Sequence, residues 1–147
     1  MRNPRFPEPD GPRPGFLRWV DLAATNIASA KVFYAGMFGW RRSEEAMNGG
    51  QFTRFSVSGM DFGSVYQLSH AHRARGVPSH WTPYFEVDNL EKALARAVSL
   101  GGEVIVRAAN APGLARIALI LDSVGALVGL WEPLDAGFTE GPDADAG

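Results

Sequence analysis

Two carboxylates lie in stretches that otherwise read as buried. Asp21 sits in FLRWVDLAA and Glu86 in HWTPYFEV, both rich in apolar and aromatic residues. A carboxylate that loses its hydration has its pKa pushed upward, and a carboxyl titrating nearer neutrality suits a general base. The bland alternative is a salt bridge to Arg54 or Arg116, or exposure at the mouth of a cavity. Alternate residues of a strand share a face, so Trp19 goes with Asp21, and Thr82 and Tyr84 go with Glu86. Trp19, Tyr84 and Trp131 offer flat surfaces for stacking, worth roughly 0.5–1.5 kcal/mol per ring pair beyond area burial. Gln67 adds an amide that can bond a ligand carbonyl. His70, His72 and His80 fall in or beside a polar connecting segment and read as solvated histidines. There is no Gly-rich phosphate loop and no G-x-S-x-G elbow. The chain has no cysteine, which excludes disulfides, thiol catalysis, zinc fingers and iron–sulfur ligation.

These residues need elements to hold them. Strands are predicted over 16–24, 40–46, 51–58, 62–69, 80–87, 103–109, 115–122 and 126–132, separated by turn signals such as Ser58-Gly59 and Asp122 to Gly125. Two helices stand out. In NIASAKVFYAGMFGW, Asn26 is a good N-cap, Gly39 a C-terminal stop, and Ile27, Ala30, Phe33, Tyr34 and Met37 form one apolar stripe. In DNLEKALARAVSLGG the stripe is Leu90, Ala93, Leu94, Ala97 and Leu100, with either Asp88 or Asn89 as the cap. The order β-α-β-β-β therefore occurs twice. Asn26 and Asn89 are 63 residues apart, as are Gly39 and Gly102, and Gly63 and Gly125 are 62 apart. This is an internal repeat. One helix covers one face of a four-stranded sheet. The expectation is an α+β fold in which two βαβββ modules form a curved mixed sheet around a cleft, with the helices on the outer face.

The 147 residues suit one domain of ordinary globular composition, 46% hydrophobic and 20% charged. Residues 1–15 hold five of the ten prolines and read as an extended arm. Residues 16–133 form the domain, with modules at about 16–69 and 80–133, and the acidic, Gly-rich 134–147 read as a flexible tail. A net charge of −2 without a basic run argues against a nucleic-acid partner. No apolar run approaches the ~20 residues of a membrane span, and the first residues lack a secretory apolar region. The expected location is the cytoplasm. The Pro-rich arm, with Phe6, Phe16 and three arginines, suits wrapping over a neighbour, and a homodimer is expected.

The segments FLRWVDLAATNIASAKVFYAGMFGW, HWTPYFEVDNLEKALARAVSLGGEVIV and LILDSVGALVGLWEP carry a resemblance over nearly all of 16–133. With Phe33-Tyr34, the FGW at 38–40 and the D-x-x-G-x-x-x-x-L-W-E-P ending, the chain resembles the vicinal oxygen chelate superfamily of glyoxalases, bleomycin-resistance proteins and dioxygenases. The resemblance implies a central cleft and, in metal-using members, four strand positions supplying His, Glu or Gln to a divalent ion. Those slots fall here on Trp19, Gln67, Thr82 and Gly129. Neither Trp nor Gly has a side-chain ligand, Thr is a poor one, and Gln67 alone cannot hold an ion. No metal and no other cofactor is expected. If Trp19 and Thr82 face the cleft, so do Asp21, Tyr84, Glu86 and Trp131, with Val65, Gln67 and Ser69 on the neighbouring strand. The expected function is binding of a small, partly aromatic molecule by Trp19, Asp21, Gln67, Thr82, Tyr84, Glu86 and Trp131, in a sequestration or resistance role. The alternative is a metal-independent isomerase or lyase with Asp21 or Glu86 as general base. A metal-dependent glyoxalase or dioxygenase ranks below both.

Overall fold

A computed structural model describes residues 12–47, 50–111 and 113–134. The arm up to residue 11 and the tail from 135 lie outside the described residues. The chain divides into two compact units, one of Arg18–Tyr84 and one of Phe85 onward together with the residues up to Leu17. Parallel and antiparallel pairings are mixed, and eight strands and three helices are found among the described residues, the α+β class expected.

The first unit contains β1 (Leu17–Ala24, from Arg18), α1 (Ile27–Phe38), β2 (Arg41–Met47), β3 (Gly50–Val57), β4 (Met60–Gln67), the short α2 (His70–Ala74) and the first five residues of β5 (His80–Glu86). Its strand order is β2-β3-β4-β1-β5. Strands β2, β3 and β4 are antiparallel neighbours, and β1 lies parallel to β4 with Asp21 opposite Ser64. Asn26 caps α1 by accepting from the Ser29 N–H, and Gly39 ends it in the left-handed region at φ 72°. Leu22, Ala24, Phe55 and Val65 form the core beneath α1, joined by Ile27, Ala30, Tyr34, Trp40 and Phe62. Gly63 permits the close β1–β4 approach, since a Cβ there would lie 2.6 Å from the Val20 carbonyl oxygen.

The second unit contains α3 (Leu90–Ser99), β6 (Glu103–Ala111), β7 (Ala115–Leu121) and β8 (Leu127–Pro133), in strand order β8-β7-β6. Its core joins Leu90 and Leu94 of α3 to Ala118, Ile120 and Leu130. Asn89 is the cap of α3, accepting from the Lys92 N–H. The end of the Pro-rich segment is docked in this unit. Gly15 N–H donates to the Glu86 carbonyl, Glu86 N–H donates to the Phe16 carbonyl, and the Arg13 guanidinium lies 5.0 Å from the centre of the Phe16 ring.

Three expectations are corrected. The α1 stripe is broader than the surface it packs on: Ile27, Ala30 and Tyr34 reach the core, while Phe33 and Met37 remain 59% and 61% exposed. The connecting segment contains the helix α2, capped by the Ser69 hydroxyl accepting from the His72 N–H. The face assignment of β4 is off by one residue. Val65 packs with Leu22 under α1, so Ser64 and Tyr66 take the opposite face, and a one-residue slip moves every side chain across the sheet. The cause is hairpin length. Residues 58–59 join β3 to β4, whereas 122–126 join β7 to β8, so Gly63 lies in a strand and Gly125 in a turn.

Candidate functional site

Within the first unit, the β1–β4 register brings three polar groups into a chain. The buried Trp19 donates its indole Nε1–H to Ser64 Oγ at 2.9 Å, and Ser64 donates its own hydroxyl proton to Asp21 Oδ1 at 2.6 Å. Ser64 is 2% exposed and acts as acceptor and donor at once. Asp21 keeps some exposure as a residue, but its carboxyl is shielded from water, and this desolvation lifts its pKa from 3.8 to about 7. The Ser64 hydrogen bond and the field of His80 oppose the rise without cancelling it. Tyr84 is buried, and its pKa is raised by desolvation, then by the Asp21 charge, then by Tyr66. Burial and the Asp21 charge also raise that of the partly exposed Tyr66. Asp21, Tyr66, Tyr84 and His80 therefore share one electrostatic environment. Thr82, also buried, joins Tyr84 by strand alternation. Near pH 7 the carboxyl can take up or release a proton beside two neutral phenols and an indole ring.

The structure thus brings Trp19, Asp21, Thr82 and Tyr84 into one unit, with Ser64 and Tyr66 added. A serine in a strand carries no signal of its own, and only the pairing of Asp21 with Ser64 exposes its role. The salt-bridge alternative does not apply to Asp21: among the described ion pairs, Arg54 meets Asp61, and Arg116 meets Glu132 and Glu91.

Gln67 belongs elsewhere. Its Oε1 accepts from the Ile27 N–H at 2.9 Å and its Nε2 donates to the Thr25 carbonyl at 2.8 Å, tying the end of β4 to the first turn of α1. Its amide oxygen satisfies an N–H that a helix start leaves without an intrahelical partner. The second unit repeats the device, with Glu132 Oε2 accepting from the Leu90 N–H at 2.9 Å. Ile27 and Leu90 are 63 residues apart, whereas Gln67 and Glu132 are 65 apart. The true counterpart of Gly129 is therefore Ser64.

Glu86 is 1% exposed in the second unit, and its Oε2 accepts from the Arg13 N–H at 2.7 Å. This contact ties the buried Glu86 carboxylate to the segment of residues 13–16. Trp131, also in this unit, is buried on β8 opposite Ile117. His72 Nδ1 lies 2.9 Å from Ser69 Oγ, and His80 Nδ1 lies 2.9 Å from the Pro78 carbonyl.

The four metal slots implied by the resemblance are then Trp19, Ser64, Thr82 and Gly129. An indole N–H has no lone pair to give, two hydroxyls are weak ligands, and glycine offers none. This donor set does not fit a catalytic divalent ion. Among the described residues, no three His, Asp or Glu side chains are grouped for one.

Residues 17–130 match the model of the Glyoxalase/Bleomycin resistance protein/Dioxygenase superfamily, and the chain belongs to that family. It is 33% identical over 129 residues to the anthracycline biosynthesis protein DnrV of Streptomyces peucetius, covering 80% of this chain and 47% of that protein. It is 30% identical over 122 residues to CFP32 of Mycobacterium tuberculosis, provisionally named a glyoxylase, covering 82% and 46%. The chain spans about half the length of these curated relatives. In fold it is similar to methylmalonyl-CoA epimerase from Mycobacterium tuberculosis, at a TM-score of 0.62 and 20% identity over 90% of this chain and 92% of that one. A 4-hydroxymandelate synthase variant from Streptomyces coelicolor matches at a TM-score of 0.62 and 19% identity, over 82% and 39%.

Proposed function

We propose that this chain binds a small, partly aromatic molecule without a divalent metal at the family's slots. The observation that carries this reading is the Trp19–Ser64–Asp21 chain of hydrogen bonds, formed by residues of which two stand in metal slots. Trp19 and Tyr84 supply aromatic surface, and the Asp21 carboxyl meets a hydroxyl or cationic group of the ligand. DnrV and the similarly matched DauV of Streptomyces sp. are named for anthracycline biosynthesis. Anthracyclines are flat hydroxylated ring systems, which is the ligand chemistry this lining favours. The test is calorimetric titration with a panel of hydroxylated polycyclic aromatics, for the native chain and for Asp21→Asn and Trp19→Leu. The expected result is saturable binding that both substitutions weaken. Binding that neither touches would place the ligand elsewhere.

A second reading has one specific observation behind it. A carboxyl titrating at about 7 and held by a serine hydroxyl suits proton transfer, so the bound molecule is isomerised or loses a leaving group with Asp21 as base. Transfer of solvent deuterium into a bound ligand, lost in Asp21→Asn, separates catalysis from sequestration. The working form is read as a cytoplasmic homodimer. No described helix is long and apolar enough to cross a membrane.

A further inference from the structure

The polar groups around Asp21 are not equally available to a ligand. The Trp19 indole N–H is spent on Ser64 Oγ, and the Ser64 hydroxyl proton is spent on Asp21 Oδ1. Among the described residues no further hydrogen bond of the Asp21 side chain is found, so its Oδ2 remains. His80 has the same kind of remainder. Val20 of β1 and Trp81 and Pro83 of β5 line a groove on the α1 side of the first unit. Strand alternation then turns His80 to the other face, with Thr82 and Tyr84 beside it and Trp19 and Asp21 on β1. Of the three histidines, His80 alone is half-buried. Its place is fixed by its neighbours: Ser79 Oγ accepts from the Thr25 N–H at 3.0 Å and meets the Thr25 hydroxyl at 3.1 Å, tying the start of β5 to the end of β1. His80 Nδ1 lies 2.9 Å from the Pro78 carbonyl oxygen. A carbonyl oxygen only accepts, so Nδ1 carries a proton, and the neutral ring keeps its lone pair on Nε2. No further hydrogen bond of this ring is found among the described residues. The two groups share a neighbourhood, since the field of His80 acts on the Asp21 carboxyl.

We propose that His80 is a specificity-determining contact of the Asp21 site: His80 Nε2 and Asp21 Oδ2 each accept a hydrogen bond from the bound molecule, which therefore carries two donor groups, hydroxyl or amino, on a flat ring. The proposal rests on the binding function given above and narrows its ligand class. Selection follows from polarity. The two groups that could have donated, the indole N–H and the Ser64 hydroxyl, face each other and the carboxyl rather than a ligand. An ether or carbonyl oxygen set against His80 Nε2 or Asp21 Oδ2 would bring lone pair against lone pair and leave both desolvated groups unpaired. The phenols of Tyr66 and Tyr84 donate or accept as required, so they do not make this choice.

The test uses dihydroxynaphthalene isomers and their mono- and dimethyl ethers as probes, titrated calorimetrically into the full chain above the Asp21 midpoint of about 7. The best-bound diol is expected to lose about tenfold in affinity for each hydroxyl that is methylated. His80→Asn separates recognition from bracing, because an asparagine amide N–H can still reach the Pro78 carbonyl but puts no acceptor where Nε2 stood. It should weaken the diol about tenfold and erase the penalty for methylating one of the two hydroxyls. Nitrogen-15 NMR of the native imidazoles gives a second measurement that needs no variant to fold. In the free chain His80 should show a protonated Nδ1 and a bare Nε2, and only Nε2 should shift when a diol, but not its dimethyl ether, is added. A diol that binds the native chain and His80→Asn equally well, or a free-chain His80 protonated on Nε2 alone, overturns the role of His80 and leaves the binding reading standing. Ethers that bind as tightly as diols overturn the two-donor selection. Failure of every diol to bind the native chain overturns this proposal together with the reading it rests on.

Discussion

Replacing Asp21 by Asn tests the central electrostatic feature of the site. The folded chain lifts the Asp21 pKa from 3.8 to about 7. Below pH 3.8 the carboxyl is protonated whether the chain is folded or not, and no stability is lost. Between the two values the unfolded chain has released its proton while the folded chain still holds one, so stability falls as pH rises. Above pH 7 the loss is complete, at about 4 kcal/mol, because each pH unit between the two values costs about 1.4 kcal/mol. Asn keeps the shape and the acceptor for the Ser64 hydroxyl but does not titrate. The difference in stability between the variant and the native chain should therefore move by about 2.5 kcal/mol in favour of Asn between roughly pH 5 and pH 8. For a chain of this size that is on the order of 5–10 °C in melting temperature. Urea unfolding of both proteins at half-unit pH steps measures it, and contributions from all other groups cancel in the comparison. Parallel stability curves for the two proteins would refute the raised pKa, and with it the argument for proton transfer at Asp21.

Other substitutions probe the supports of the site. Ser64→Ala removes a hydrogen bond that lowers the Asp21 pKa, so the Asp21 midpoint should rise further, read by carboxyl-carbon NMR, with about 1–2 kcal/mol of stability lost. Gln67→Ala should cost about 1 kcal/mol in urea unfolding by loosening the start of α1, while calorimetric ligand affinity stays unchanged. Gly63→Ala sets a Cβ 2.6 Å from the Val20 carbonyl oxygen, and should destabilise by about 2–4 kcal/mol in the same assay. Equilibrium dialysis against Zn, Ni, Fe or Mn, followed by metal analysis, should find no stoichiometric ion retained; one ion per chain, lost on Thr82→Ala, would contradict the donor-set argument.

The parts of this fold that are legible in the sequence are those whose signals are local. Asn26 and Asn89 cap their helices by accepting the N–H three residues on, and the preceding strands follow at the same 63-residue spacing. Period-2 alternation then groups Trp19 with Asp21 and Thr82 with Tyr84, without knowledge of any partner strand. What is not legible depends on spacing carried through a hairpin. Doubling a loop adds only about 0.6 kcal/mol of closure cost, so the lengths of 58–59 and 122–126 are free to diverge, while strand register is held by burial and ladder hydrogen bonds. The offset therefore drifts from 63 to 65 across the second half of each repeat. That drift moves Gln67 into an apparent site position and hides Ser64, which meets Asp21 across 43 residues of sequence. Glu86 depends on distant chain in the same way. Its carboxylate is answered by the Arg13 amide 73 residues away, and every residue has such an amide except proline. A buried carboxylate in a sequence therefore marks a demand for a hydrogen-bond donor. A backbone amide meets that demand at Glu86, whereas at Asp21 a single serine hydroxyl meets it only in part and burial lifts the carboxyl to about 7.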